Sequence, residues 1–130
     1  MGAWGHNTFD NDDALDWVGD LEDSGRGAID DALRAVTDDA EDYIESPDCC
    51  NALAAAETVA AMKGNPSPDL PEEVAGWVQD QDAPADDLVA KAKQAVDVVA
   101  KESELKELWQ ESNSYEQWQA SIKELKSRLD

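Results

Sequence analysis

Residues 51–62 read NALAAAETVAAM, directly after Cys49 and Cys50, and Glu57 is the only charge between Cys49 and Met62. A helix that is apolar nearly all the way round belongs inside a protein, because every face then has to be covered. The segment is therefore the expected centre of a helical bundle, and its alanines let neighbouring helices approach closely. Ser46-Pro47-Asp48 leads into it, and Gly64-Asn65-Pro66-Ser67-Pro68 ends it. Glycine suits a helix C-terminus and the prolines cannot extend the hydrogen-bond ladder.

Working outward, apolar residues recur at three-and-four spacing and nowhere alternate with period two over a strand's length. From Asp10 to about Glu22 the stripe is Ala14, Leu15, Val18 and Leu21, with Asp10 as N-cap and Phe9 placed to staple onto Ala14. Gly25-Arg26-Gly27 breaks that pattern. A second stripe then runs through Ile29, Ala32, Leu33, Val36, Ala40, Tyr43 and Ile44. Beyond the central segment, Asp69 to Gln81 reads as a short helix with a capping box at Asp69 and Glu72, and Val74, Trp77 and Val78 facing inward. Asp82-Ala83-Pro84 opens a helix striped by Leu88, Val89, Ala92, Ala95, Val96 and Val99, which bends or stops near Ser103. Leu105, Leu108 and Trp109 share the next face. Ser114 and Gln117 form another capping box before the terminal stripe of Trp118, Ile122, Leu125 and Leu129. The expected fold is all-α: a compact single-domain bundle of six to seven short helices spanning residues 1–130.

Composition bounds the function. The 130 residues hold 31 Asp and Glu against 10 Lys and Arg, a formal net charge of −21. That charge argues against DNA, RNA or an anionic membrane as a direct ligand, since each needs a basic surface. A hydrophobic content of 42% is too high for a disordered acidic tail. Residues 1–60 carry 16 acidic and 2 basic side chains, whereas residues 101–130 carry 7 and 5. Strong negative potential thus belongs to the first two helices. The N-terminus has neither the basic residue nor the apolar run of a signal peptide, and no stretch is apolar enough to span a membrane; a cytoplasmic location is expected.

The segments MGAWG (1–5), FDNDDALDW (9–17), LAAAETVAA (53–61), LPEEVAGWV (70–78) and SELKELWQES (103–112), in that order, resemble the bacterial domain-of-unknown-function family 4259. The opening Gly-x-Trp-Gly turn with its Phe-Asp-Asn-Asp run is the most specific part. The resemblance implies a small helical bacterial protein and transfers no catalytic residue.

Several constellations are candidates for chemistry. Asp10, Asp12, Asp13 and Asp16 could gather around Ca²⁺ or Mg²⁺, but an EF-hand count from Asp10 puts Leu15 at the glycine position and Leu21 at the glutamate position. Helix capping explains those acids, and no metal is assigned. His6 has no nucleophile placed beside it by local sequence. Cys49 and Cys50 are adjacent, which disfavours a bridge between them, and they read as reduced helix residues. Trp4 and Phe9 read as anchors of the first helix. Glu57 is the sharpest anomaly, a carboxylate in an apolar helix, for which an ion pair with Arg26 or Arg34 is the simplest answer.

No cofactor is called for, and the reading points away from an enzyme. It favours a non-catalytic binding module that engages a basic surface on another protein, in the manner of immunity proteins or nucleic-acid mimics. The proposed partner-binding face is Asp12, Asp16, Asp20, Asp31, Asp38, Asp42 and Glu45. The alternatives are a small-ligand carrier or enzyme with a pocket near Glu57 and His6, and an acidic surface that serves solubility alone.

Overall fold

The central apolar segment forms α3 (Ser46–Met62), in which every residue from Ala52 to Met62 is buried. The computed structural model describes residues 12–38, 44–68, 70–101 and 103–130, and those residues form a compact all-α bundle of seven short helices with no β-strand. α3 packs against each of the other six, namely α1 (Asp12–Ser24), α2 (Arg26–Thr37), α4 (Glu72–Gln79), α5 (Asp86–Lys101), α6 (Glu104–Gln110) and α7 (Tyr115–Leu129). Eight positions of α3 are alanine or cysteine, and their small side chains allow that close surrounding. Its C-terminus closes in a Schellman motif: Gly64 takes φ 95°, its N–H bonds to Ala61 O at 2.9 Å, and the Asn65 N–H reaches Ala60 O at 3.0 Å.

The α1–α2 hairpin turns on Gly25, whose φ of 61° lies where a side chain is strained. The Gly25 N–H closes α1 on Leu21 O at 2.8 Å, and its carbonyl accepts from the Ala28 N–H at 3.0 Å. The buried stripe of α1 is Ala14, Trp17, Val18 and Leu21, not the expected one: Leu15 is 41% exposed, and Trp17 takes the inward position. Both sets have helical spacing, and the larger ring has more apolar surface to hide. The Trp17 indole N–H also donates to Ala28 O at 3.3 Å, tying the two helices together.

Other boundaries differ from the sequence reading. α2 ends at Thr37, and Ile44 lies buried outside any helix, so the second stripe does not run to Ile44 as one helix. Asp38, the C-cap of α2, puts a carboxylate at the negative end of the helix dipole, which disfavours extension of the helix. α4 starts at Glu72 with Pro71 in the N-cap position, and only Val74 is fully buried; Trp77 and Val78 are half-buried. Asp69 of the expected capping box lies outside the described residues. Ser114 is the N-cap of α7 but makes no side-chain cap bond. Ser103 does cap: its hydroxyl accepts from the Lys106 N–H at 3.1 Å and donates to Val99 O at 2.8 Å, which fixes the break between α5 and α6. Trp109 and Trp118 stack with centroids 6.4 Å apart and join α6 to α7.

A candidate acidic interface

Because Ala14, Trp17, Val18 and Leu21 turn inward, the acids interspersed among them must face solvent. Asp12, Asp13, Asp16, Asp20 and Asp23 of α1 are all exposed. The same logic on α2 exposes Asp31, and beyond its end Asp38; Glu45 and Asp48 at the start of α3 are exposed as well. Asp42 lies outside the described residues, as does His6.

The ion pairs lie elsewhere. Asp30 is held by Arg34 at 3.1 Å and by Lys91 at 3.0 Å. Near the C-terminus Lys93 meets Asp130 at 2.7 Å, Lys126 meets Asp97 at 2.6 Å, and Arg128 pairs with Glu57 and Glu124. Lys93 holds the Asp130 carboxyl below its usual range, first through their hydrogen bond and then through charge. Among the described residues, no salt bridge involves Asp12, Asp16, Asp20, Asp31, Asp38 or Glu45.

A depression of about 270 Å³ opens between α1, α2 and the first turns of α3. Asp20, Asp31 and Asp48 stand in its wall with Trp17, Ala32 and Asn51. The fold thus brings two of the expected residues, Asp20 and Asp31, to one hollow and adds Asp48; Asp12, Asp16, Asp38 and Glu45 do not line it. Asp48 and Asn51 escaped the sequence reading, although their i, i+3 spacing behind Pro47 puts them on one side of α3. A second hollow of about 460 Å³ lies over α6, walled by Glu104, Glu107, Leu108, Gln110 and Glu111.

The other candidates for chemistry resolve as follows. Glu57 is 5% exposed, and its carboxylate lies 2.6 Å from Arg128 Nη2. The expected partners are otherwise engaged: Arg26 donates to the Gln81 side chain at 3.4 Å and to Asp82 O at 2.9 Å, and Arg34 takes Asp30. The reason is topological, since the end of α7 lies over the C-terminal half of α3; Arg128 and Asn65 also share hydrogen bonds at 3.1 and 3.3 Å. Glu57 lines neither hollow. Cys49 and Cys50 are buried free thiols, and burial pushes them up to about 11 and about 12 respectively. They stay protonated at neutral pH, the form that neither attacks nor binds metal. Among the described residues no group of three or more His, Cys, Asp or Glu is placed to hold a metal ion, and no helix is long and apolar enough to cross a membrane.

The sequence model of one protein family, described as Domain of unknown function (DUF4259), matches residues 2–121. The chain belongs to that family. Comparison with curated proteins and with solved structures finds no match. On this DUF4259 chain, Asp12, Asp16, Asp20, Asp31, Asp38 and Glu45 form an exposed acidic set that no salt bridge among the described residues neutralises, whereas Asp30 beside them is paired.

Proposed function

We propose that this DUF4259 chain is a non-catalytic binding module whose acidic face, built on α1, α2 and the first turn of α3, engages a basic surface on another protein. The observation that carries this reading is the separation of acids from bases. Asp12, Asp16, Asp20, Asp31, Asp38 and Glu45 are exposed and outside every ion pair among the described residues, while most cations sit in the second half of the chain. An acidic patch of this kind raises the encounter rate with a basic partner and repels acidic competitors. A module that covers a basic surface in this way neutralises a nucleic-acid-binding partner by occupying the surface its ligand needs.

The test is capture from native lysate by the immobilised chain at about 50 and about 500 mM NaCl, between which screening of exposed charges becomes severe. The Asp16→Asn/Asp31→Asn/Asp38→Asn variant is compared with a control, Glu107→Gln/Glu111→Gln/Glu116→Gln, that removes the same charge from the far helices. The reading expects a basic protein that is retained at low salt by the wild type and the control and lost by the face variant. Capture that ignores salt, or equal losses in both triple variants, contradicts it.

A further inference from the structure

We propose that the end of α7 is an ionic latch that lifts off α5 and α3 without unfolding the bundle, because the charges that fasten it have second partners on their own helices. The latch stands on ion-pair geometry and is independent of the acidic face. Lys93 and Asp97 are four residues apart on α5, and Lys126 and Asp130 are four apart at the end of α7. Opposite charges at that spacing pair along a single helix. Here they pair across the two helices instead, Lys93 with Asp130 at 2.7 Å and Lys126 with Asp97 at 2.6 Å. The second partner is already within reach: Asp97 raises the Lys126 ammonium above its usual value, first by hydrogen bond and then by charge, and Asp130 adds a smaller push in the same direction. Arg128 repeats the pattern, bridging Glu57 of α3 at 2.6 Å while holding Glu124 four positions earlier on α7. When α7 lifts, the quartet exchanges partners, Arg128 keeps Glu124, and Glu57 passes into water. No charge is left both dry and unpaired, which is what makes the joint two-state.

Most of what the closed state adds is polar. α3 and α7 end side by side, which brings two negative helix ends together. Lys63 Nζ donates to Leu129 O, the Asn65 side-chain amide donates to Arg128 O at 3.1 Å, and Arg128 donates back to Asn65 O at 3.3 Å. Water replaces such bonds on opening at little net cost. Lys63, Lys93, Lys126 and Arg128, four of the ten Lys and Arg side chains, gather at this joint. Leu129, fully buried, is the apolar anchor that keeps the latch closed, and the start of α7 is held separately by Trp118 on Trp109. Exposed ion pairs weaken as salt rises, whereas screening of the surplus acids steadies the rest of the bundle. Salt therefore acts with opposite sign on the latch and on the fold.

The experiment is thiol labelling of the full Leu129→Cys chain with a disulfide reagent. The new thiol reports lifting of the end of α7, and Cys49 and Cys50, buried at the start of α3, report opening of the bundle. Between about 50 and about 500 mM NaCl the new thiol is expected to label about fivefold faster while Cys49 and Cys50 slow. Lys93→Asp/Asp97→Lys keeps the net charge and the pair within α5 but sets like charges against α7. It should speed the new thiol by about tenfold or more and Cys49 and Cys50 by less than about threefold. Adding Lys126→Asp/Asp130→Lys restores attraction across the helices and should bring the new thiol back to within about twofold of its starting rate. ¹⁵N relaxation dispersion on chains that keep Leu129 gives a second readout: the α5 swap should show exchange confined to residues 63–65 and 125–130, and the double swap should suppress it. Equal acceleration of all three thiols, no acceleration of the new one, or no recovery in the double swap would overturn the latch. So would dispersion that spreads over the whole bundle or is absent from the α5 swap.

Discussion

Arg128→Met tests whether the buried carboxylate on α3 is held as structure or kept for chemistry. Glu57 keeps only 6% of its side chain in solvent and Arg128 16%, so the substitution strands a nearly dry carboxylate without its arginine. Breaking a buried ion pair by removing one partner costs about 3–5 kcal/mol, and the residual exposure of Arg128 places this case near 3. With an unfolding entropy of about 2.1 cal/mol/K per residue, 130 residues convert that into a fall in Tm of about 10 °C. Arg128 also leaves Glu124, but that carboxylate is 52% exposed, and Glu124→Gln alone should cost less than about 0.5 kcal/mol. The double variant Glu57→Met/Arg128→Met removes both charges and should return to within about 1 kcal/mol of wild type, as apolar replacements of buried pairs do. Thermal and urea melts of the wild type, Glu57→Met, Arg128→Met and Glu57→Met/Arg128→Met give the cycle. A cost below about 1 kcal/mol for Arg128→Met, or a stabilisation above that size by Glu57→Gln, refutes the structural role and returns Glu57 to the list of functional carboxylates.

Further outcomes follow from the same packing. The two buried thiols should react with a disulfide reagent only on unfolding, at a rate that rises with denaturant; rapid labelling of the native chain would contradict their burial. Their folded values of about 11 and about 12 lie above the ordinary 9.0, so the stability linked to keeping them protonated is intact below pH 9 and is lost as pH rises toward 12, which alkaline melts will show. Gly25→Ala, at φ 61°, should cost about 1–2 kcal/mol by thermal melt, and an unchanged Tm would mean the hairpin turns differently. Raising NaCl from about 50 to about 500 mM should raise Tm by several degrees because it screens the unpaired acids. The Asp16→Asn/Asp31→Asn/Asp38→Asn variant should flatten that rise; an identical salt response would show that those carboxylates do not repel one another appreciably.

What could be read from the sequence was what local periodicity encodes. The apolar run from Ala52 to Met62 announced a helix surrounded by others, and the stripes of α5 and α7 named their buried residues: Ala92, Ala95, Val96 and Val99, then Trp118, Ile122, Leu125 and Leu129. Periodicity failed where two stripes were equally regular. Leu15 and Trp17 both keep helical spacing with Ala14 and Val18, and only the packing against Ala28 decides between them. It also says nothing about contacts across the fold: Arg128 stands 71 positions from Glu57 and reaches it because α7 returns along α3. The acidic hollow is an intermediate case. Asp20 and Asp31 were evident as exposed acids, but their meeting with Asp48 and Asn51 depends on how the α1–α2 hairpin lies on the start of α3.

The most direct measurement is the association rate of the chain with a captured basic partner as a function of ionic strength, by stopped flow. The account predicts that the wild-type rate falls by about tenfold or more between about 50 and about 500 mM salt and that the Asp16/Asp31/Asp38 variant is slower at low salt with a much shallower dependence. The far-helix control should follow the wild type. Equal rates and equal salt slopes for the three proteins would contradict it.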